Sequence, residues 1–409
     1  MKVPIAGIKF VKDLYPRFEL DNYTVNQYRQ SIDQLPPILI SKNNVLIDGY
    51  HRIQAHKLEE RDEIEAEVFD SEDEKEILLE AIRRNSTHGK QLAIEEKRKL
   101  APRLYLMGVD RDEIVGLLSV TKRFVDGWTK DIRAKEKKER DVETLELYLQ
   151  CYTQEEIAEM LQISKMTVSR AVSEHLGKGS EMLQPNSLEL YNVWSVGRLD
   201  PDQLKYPGQT PLSIIENIIY YYTEPPQTDP LKLAKVLDPM AGSGIIRDAC
   251  RNLMRRYLMY DINPLREDIP IHKNDILNGF PDRAKNIDLV YFDPPYYNLM
   301  GEYPNNGFTE SYSSFLISME TSFKNIKNVL VTEGKVALIL KPMNVDMLGG
   351  DWLDMTFDCV AIAKELGYKL IKRIGSPLST QQFQAHDVSR AKEGKVMLNT
   401  LRDIVILEK

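Results

Sequence analysis

The sequence predicts an α/β protein whose C-terminal half is a mostly parallel, Rossmann-like sheet, preceded by a small α+β domain and an all-α region. From about residue 188 onward, apolar runs alternate with helical patterns of about 10–20 residues, as expected for a sheet with helices on both faces. Residues 1–88 instead mix short β-like runs with turns. Residues 91–176 have helical periodicity with short polar breaks.

The strands of the large sheet are predicted from apolar runs. In chain order these are KVLDPM, RYLMYDI, the region of HKND, IDLVYFD, GKVALIL, YKLIKRI and DIVILEK. The segment 177–187, GKGSEMLQPNS, is rich in Gly, Ser, Pro and Asn and predicts a linker. We therefore expect domains at 1–90, 91–176 and 188–409.

Composition indicates a cytoplasmic protein without a membrane partner. The opening segment, MKVPIAGIKFVKDLYPRFEL, lacks the basic and apolar regions of a signal peptide, and no run of about 20 apolar residues follows. Cys151, Cys250 and Cys359 stand in unrelated contexts, and with the six histidines they form no metal-binding spacing. We expect neither disulfides nor a metal ion.

The net charge of −8 argues at first against a nucleic-acid partner, but the charge is unevenly distributed. Residues 59–80 hold twelve acids and two bases, whereas residues 121–140 hold eight bases and four acids. The basic stretch fits either a solvated helix face or contacts to phosphate groups.

A glycine-containing loop predicts a nucleotide-type cofactor site. In KVLDPMAGSGIIRDAC an apolar run ends at Asp238, and a turn with Gly242 and Gly244 opens a helix. Glycines there let the backbone approach a ligand at a helix N-terminus, although alone they also fit a tight turn. The next strand ends at Asp261, where a carboxylate can accept both hydroxyls of a ribose.

Two further strand ends should reach the same edge of the sheet. Asp275 in HKNDILNG is placed to meet an adenine amino group beside an apolar wall that includes Ile276. The run IDLVYF then stops at Asp293-Pro294-Pro295-Tyr296, where the prolines make a stiff stop that directs the acid and a carbonyl outward. The alternative is a plain strand-ending turn.

The tetrad suits chemistry on an amino group of a nucleobase. If Asp293 accepts one N–H and the Pro294 carbonyl accepts the other, the nitrogen lone pair can point at a methyl sulfonium. Tyr296 would stack on the base, which must leave its duplex to enter the site. Catalysis would then come mainly from positioning.

Residues 190–409 resemble the amino methyltransferases that act on adenine N6 or cytosine N4 in DNA. DPMAGSG matches their cofactor loop, DPPY their catalytic tetrad, and KYPGQTPLSIIENIIYYYT the segment that closes over the methionine end of S-adenosylmethionine. The resemblance implies a class I methyltransferase fold with seven strands and a non-permuted motif order. It implies a cofactor-binding set of Tyr206, Thr210, Pro211, Asp238, Pro239, Ala241, Gly242, Gly244, Asp261, Ile262, Asp275 and Ile276.

The resemblance also bears on the substrate. In that family DPPY favours adenine over cytosine, so a DNA methyltransferase for adenine N6 is expected. Alternatives are cytosine N4, an amine in RNA, and a DNA-binding regulator with an inactive methyltransferase fold. Too few residues follow ILKP for a large target-recognition domain, so sequence readout is expected elsewhere.

Two stretches in the helical region predict helix–turn–helix modules. In YTQEEIAEMLQISKMTVSRAVSEHL, Thr153 and Glu156 form a capping box and Val168 lies on the inner face of the second helix. VDRDEIVGLLSVTKRFVDGWTKDI repeats the plan, with Ile114, Leu117 and Val120 inward. Both also fit a three-helix packing module. The residues predicted to contact DNA are Thr121, Lys122, Arg123, Lys165, Thr167, Ser169 and Arg170.

The N-terminal region runs a strand into Gly49, then His51 and Arg52, in NVLIDGYHRIQAHKLE. A strand–Gly–helix junction with a cation can hold a phosphate. The segment resembles the ParB and sulfiredoxin family, which implies a phosphate or nucleotide pocket. No Cys lies in the loop, so sulfiredoxin chemistry is excluded. His51 suits a phosphate donor or a structural role, with a catalytic base as the alternative.

Together these features predict a modular, S-adenosylmethionine-dependent DNA methyltransferase that flips a base out of duplex DNA, with a nucleotide at the N-terminal domain as an additional possibility. A homodimer and a restriction or defence partner are left open by the sequence.

Overall fold

The computed structural model divides the chain into two compact units, Met1–Glu139 and Arg140–Lys409. It describes residues 1–17, 20–87, 92–176, 183–185, 187–194, 210–226, 232–295, 311–340, 354–377, 385–394 and 400–409. Tyr206 and Tyr296 lie outside these residues. None of the helices described is long and apolar enough to cross a membrane.

The first unit contains a small mixed sheet with helices. Its elements are β1 (Lys2–Pro4), α1 (Asn22–Gln30), β2 (Ile38–Ser41), β3 (Leu46–Asp48), α2 (Tyr50–Leu58), β4 (Glu63–Phe69), α3 (Glu74–Thr87), α4 (Ile94–Leu106), α5 (Arg111–Leu118), α6 (Lys122–Trp128) and the start of α7 (Lys130–Leu149). The strand order is β1-β4-β2-β3, with β2 parallel to β4 and the outer pairs antiparallel. A mixed sheet therefore lies where the α+β domain is predicted.

Alternation along β2 explains how helices cover this sheet. Ile38 and Ile40 are buried with Ile53 of α2, whereas Leu39 is buried with Ile77 of α3. Successive side chains of a strand point to opposite faces, so one four-residue strand contributes to two cores.

Helices α5 and α6 lie in one of the two stretches predicted as helix–turn–helix modules, and their buried face differs from the predicted one. Ile114 is fully buried as predicted, but Leu117 and Val120 are only partly buried against the core. Leu118 is buried instead, at 1% exposure. Leu117 and Leu118, three and four residues after Ile114, both lie on the same helix face as Ile114, and here Leu118 is the one that packs into the core.

The second unit is built on a seven-stranded sheet. Its elements are the end of α7, α8 (Gln154–Met160), α9 (Lys165–Leu176), α10 (Leu212–Tyr222), β5 (Lys235–Asp238), α11 (Ile246–Asn252), β6 (Arg256–Asp261), β7 (His272–Lys273), β8 (Ile287–Phe292), α12 (Tyr312–Val329), β9 (Leu330–Leu340), α13 (Met355–Glu365), β10 (Lys369–Pro377), α14 (Ala385–Gly394) and β11 (Leu401–Glu408).

The strand order is β10-β11-β9-β8-β5-β6-β7, and β11 alone in this order runs antiparallel to its neighbours. The predicted mostly parallel seven-stranded sheet is therefore confirmed. The chain moves outward from β5 through β6 to β7 and then returns to build the other side from β8. Open α/β sheets bind ligands at such a reversal, outside the carboxyl ends of the strands.

Helices cover both faces of this sheet. Val236 and Leu289 pack with the α10 and α11 side, and their chain neighbours Leu237 and Val290 pack with the α12 and α13 side. The strands are thus apolar on both faces, which accounts for their continuous rather than alternating apolar runs.

The other stretch predicted as a helix–turn–helix module belongs to the compact unit that contains this sheet. Ile157, Val168 and Val172 of α8 and α9 are fully buried in the same core cluster as Ile214 of α10 and Ile246 of α11. The predicted capping box is present: the Glu156 amide donates to Thr153 Oγ1 at 3.2 Å, and the Thr153 amide donates to Glu156 at 2.7 Å. The boundary between compact units thus falls inside the predicted 91–176 region, rather than in the 177–187 linker.

Two arginines join this segment to the amino ends of the strands. Arg256, the first residue of β6, donates to the carbonyls of Tyr148 and Tyr152, at 3.1 Å each, and its guanidinium lies 4.5 Å from the centre of the Tyr148 ring. Arg283 lies 4.0 Å from the centre of the Tyr152 ring and pairs with Glu156 at 3.1 Å.

We expect Arg256→Met to lower the free energy of unfolding by about 2–3 kcal/mol, because two charge-assisted hydrogen bonds and a cation–π contact are lost together. Urea denaturation measures the change. The control is Arg251→Met, which removes the more exposed pair with Glu146 and should cost less than about 1 kcal/mol. Equal losses for the two variants would show that Arg256 does not hold this segment.

Candidate active site at the carboxyl edge of the sheet

Three predicted acids meet where β5, β6 and β8 end. Asp238 and Asp261 are the last residues of β5 and β6, and Asp293 immediately follows β8. Because these strands are parallel neighbours, their carboxyl ends share one edge. The charges of Asp293 and Asp261 both act on Asp238, which places the three carboxylates in one electrostatic cluster.

The glycine loop after β5 closes onto the end of β6. The Gly242 amide donates to Asp261 Oδ2 at 2.9 Å, and the Ala241 amide donates to the Tyr260 carbonyl at 2.8 Å. Gly242 and Gly244 have φ angles of 48° and 75°, in the left-handed region that glycine adopts without penalty. The loop geometry therefore depends on both glycines.

Gly244 has a second reason to be glycine. A Cβ at this position would lie 2.1 Å from Cδ1 of Ile269. The sequence suggested that glycine here lets the backbone approach a ligand. In the structure the backbone instead lies close to the buried Ile269 side chain, so the packing of the loop leaves no room for a side chain at position 244.

Four further predicted cofactor residues are two acids, Asp261 and Asp275, and two apolar residues, Ile262 and Ile276. Asp261 accepts from the amides of Gly242 and Asn263, and Asp275 accepts from the Leu277 amide and the Asn278 side chain. Their carboxylates are thus fixed in orientation by local hydrogen bonds. Of the apolar positions, Ile262 is 47% exposed and Ile276 is 2% exposed within the core.

A hydrogen-bonded network surrounds Asp293. Thr210 Oγ1 donates to Asp293 Oδ2 at 2.9 Å, and the Tyr291 hydroxyl donates to the same oxygen at 3.2 Å. Arg402 Nη1 in turn donates to Thr210 Oγ1 at 2.9 Å. Pro294, directly after Asp293, is buried, so the backbone that carries the carboxylate is held in place.

Burial and mutual repulsion set the electrostatics of the site. Burial raises the pKa of Asp238 well above its usual range, the Met240 amide opposes this, and the charges of Asp293 and Asp261 raise the pKa further. Burial likewise raises the pKa of the Tyr291 hydroxyl, with a further contribution from Asp293. Tyr291 therefore stays protonated and acts as a hydrogen-bond donor.

Sequence reasoning missed Tyr291 and Arg402. Tyr291 lies inside the apolar run IDLVYF, where an aromatic residue indicates a strand rather than a polar contact. Arg402 is the second residue of the last strand, and only the insertion of β11 between β9 and β10 brings it toward Asp293. The charged pair Arg402-Asp403, directly before the apolar run IVIL, is the one sequence signal that could have identified it.

The seven predicted DNA-contacting residues lie near the N-termini of α6 and α9. Thr121, Lys122, Arg123, Lys165 and Arg170 are exposed, and Thr167 and Ser169 are partly buried. Lys122 pairs with Asp112 at 2.8 Å, and Lys165 pairs with Glu155. The two groups belong to different compact units.

In the first unit, Arg52 has structural partners in place of a ligand. Arg52 is 9% exposed, and its guanidinium pairs with Asp48 at 2.5 Å and donates to the carbonyls of Pro36 and Pro37 at 2.8 and 2.6 Å. Gly49 has a φ of 114°, and a Cβ there would lie 2.4 Å from Ile38. His51 Nε2 accepts from the Asp21 amide at 3.0 Å. The contacts within the folded unit therefore account for the presence of Gly49, His51 and Arg52 without a bound phosphate.

Comparison with known proteins gives one family match. A family model described as DNA methylase matches residues 110–270, which is less than half of the chain and ends before Asp293. No curated protein matches the chain. The family match therefore supports a class of activity without establishing membership.

Solved structures show only distant likeness. An S-adenosylmethionine-dependent methyltransferase from Archaeoglobus fulgidus is 9% identical with a TM-score of 0.31, over 48% of this chain and 92% of that one. A candidate DNA modification methylase from Thermus thermophilus, complexed with S-adenosyl-L-methionine, is 20% identical with a TM-score of 0.24, over 33% and 51%. The chromosome-partitioning protein ParB from Caulobacter crescentus, complexed to the centromeric parS site, is 17% identical with a TM-score of 0.25, over 31% and 69%. At these TM-scores the likenesses establish neither fold nor function.

Proposed function

We propose that the chain is an S-adenosylmethionine-dependent DNA methyltransferase that modifies the exocyclic amine of a flipped base, with adenine N6 as the preferred target. The observation that carries the proposal is the convergence of the glycine loop, Asp261 and Asp293 on the carboxyl edge of one doubly wound sheet. The DNA methylase family match over 110–270 supports the same class of reaction.

The residues at this edge fit S-adenosylmethionine. Asp261 is oriented by the loop and can accept ribose hydroxyls, and Asp275 lies after the third strand of the sheet, where the adenine would lie. The charges of Asp261 and Asp293 raise the cost of ionising Asp238, so this cluster of carboxylates favours a positively charged ligand. When bound, the sulfonium of this cofactor supplies an electrophilic methyl group.

Asp293 and the Pro294 carbonyl would hold the target amine. The carboxylate accepts one N–H and the carbonyl accepts the other, which orients the nitrogen lone pair toward the methyl group. The Thr210 and Tyr291 hydrogen bonds restrict rotation of the carboxylate, so little further ordering is needed when the base arrives.

Sequence recognition is assigned to the helix–turn–helix segments. The exposed N-terminal residues of α9, with those of α6 in the other unit, have the position from which a recognition helix contacts base edges in a major groove. Adenine N6 is preferred over cytosine N4 because the tetrad reads DPPY.

Incubation of the purified chain with S-adenosylmethionine carrying a labelled methyl group, and with genomic DNA of mixed sequence or total RNA, tests the proposal. Nucleoside analysis should find the label as N6-methyladenine in DNA. Label on cytosine would correct the base, and label confined to RNA would correct the substrate. Absence of transfer to either, with cofactor binding intact, would favour a DNA-binding protein with an inactive methyltransferase fold.

A further inference from the structure

We propose that Arg402 is a positioning residue that acts through Thr210 to orient Asp293 and to balance the charge of the carboxylates around it. This inference rests on the proposed function of the site. Arg402 lies on β11, far along the chain from the DPPY tetrad, and none of the sequence motifs includes it.

The geometry forms a relay of two hydrogen bonds. Arg402 Nη1 donates to Thr210 Oγ1 at 2.9 Å, so the hydroxyl proton of Thr210 points at its own acceptor, Asp293 Oδ2, also at 2.9 Å. Arg402 is 5% exposed and Thr210 is 3% exposed. A buried, charge-assisted chain of this kind orients its last acceptor more strongly than an isolated hydroxyl would.

The positive charge of Arg402 lies close to an acidic cluster. Within the described part of the chain, the charges of Asp293, Asp238 and Arg402 all act on Tyr291, so the guanidinium lies in the same electrostatic cluster as these two carboxylates. The charge of Asp261 also acts on Asp238. The same guanidinium lowers the pKa of Tyr291, which donates to Asp293, and thereby opposes the effect of Asp293 on it. A buried cation near clustered acids favours their ionised form.

The test is the pH dependence of kcat for the full chain, with labelled S-adenosylmethionine and DNA, in the wild type, Arg402→Met and Arg402→Lys. Loss of the cation makes ionised Asp293 less favourable, so its pKa rises. The acid limb of the profile should move up by about 1–2 pH units. On the acid side of both profiles kcat should therefore be about 10- to 100-fold lower than in the wild type, and it should recover at higher pH. Arg402→Lys should restore part of the loss, and KM for the cofactor should change less than kcat.

The control is Arg373→Met, which removes the bidentate pair with Asp403, the neighbour of Arg402, and leaves Thr210 untouched. Its pH profile should match the wild type. If Arg402→Met fails to fold, Thr210→Val should shift the acid limb and Thr210→Ser should not. If the wild type is active but the pH profile of Arg402→Met or of Thr210→Val is not shifted, the role of Arg402 is wrong while the proposed function stands. A wild type inactive on all nucleic acids overturns the proposed function and, with it, this role.

Discussion

Asp293→Ala should lower kcat for methyl transfer by about 100- to 1000-fold, because the group that would accept the amine N–H and orient the nitrogen is lost. Cofactor affinity should stay within about threefold of the wild type, since the ribose and adenine are assigned to Asp261 and Asp275, a change of less than about 1 kcal/mol. Transfer of labelled methyl groups to DNA measures the first quantity, and calorimetry with S-adenosylmethionine measures the second.

A matched control for this variant lies at the other end of the same strand. Asp288 accepts from the Lys235 amide at 2.8 Å at the amino ends of β5 and β8, away from the site. Asp288→Asn should leave kcat unchanged. Cofactor binding lost in Asp293→Ala while turnover persists would reverse the assigned role.

Asp261→Asn should weaken S-adenosylmethionine binding about 10- to 100-fold, because an amide cannot replace the carboxylate that is proposed to accept two ribose hydroxyls. The variant also weakens the acceptor that fixes the Gly242 amide, so the loop loses part of its support. Calorimetric titration at constant ionic strength measures the affinity.

The interpretation of Asp261 requires that folding be preserved. Asp288→Asn again serves as the control and should bind the cofactor as the wild type does. Unchanged affinity in a folded Asp261→Asn variant would remove the ribose assignment and leave Asp261 as a support for the loop alone.

Strand ends were the part of the site that the sequence could predict. Asp238, Asp261 and Asp293 each end an apolar run, and parallel strands necessarily bring such ends to one edge. Six of the seven strands were predicted from such runs, the third was placed at HKND, and the count of seven came from the family resemblance. The Gly244 position was also predicted, but its contact with Ile269 was not, because that contact depends on the path of the chain between β6 and β7.

Long-range neighbours were beyond sequence reasoning. The contact between Arg402 and Thr210 joins positions 192 residues apart in the sequence, and only the strand order brings them together. Likewise, the apolar face of α9 predicted a buried side, but not that Val168 and Val172 would join the core beneath α10 and α11. The periodicity of a helix shows which of its faces is apolar, but it does not show which other element packs against that face.

The contacts of Arg256 and Arg283 hold the start of the α8–α9 segment at the amino ends of the strands, which has a consequence for the distance along DNA between the bases that are read and the base that is methylated. Arg256 opens β6 and Asp261 ends it, and a strand of this length extends about 16 Å at its usual rise. Duplex DNA advances about 3.4 Å per base pair. If this segment reads DNA, the bases that it reads would lie toward the amino ends of the strands, whereas the base that Asp293 would receive would lie at their carboxyl ends. The methylated position would then lie to one side of the contacted bases by roughly half a helical turn, about 5 base pairs, rather than within them.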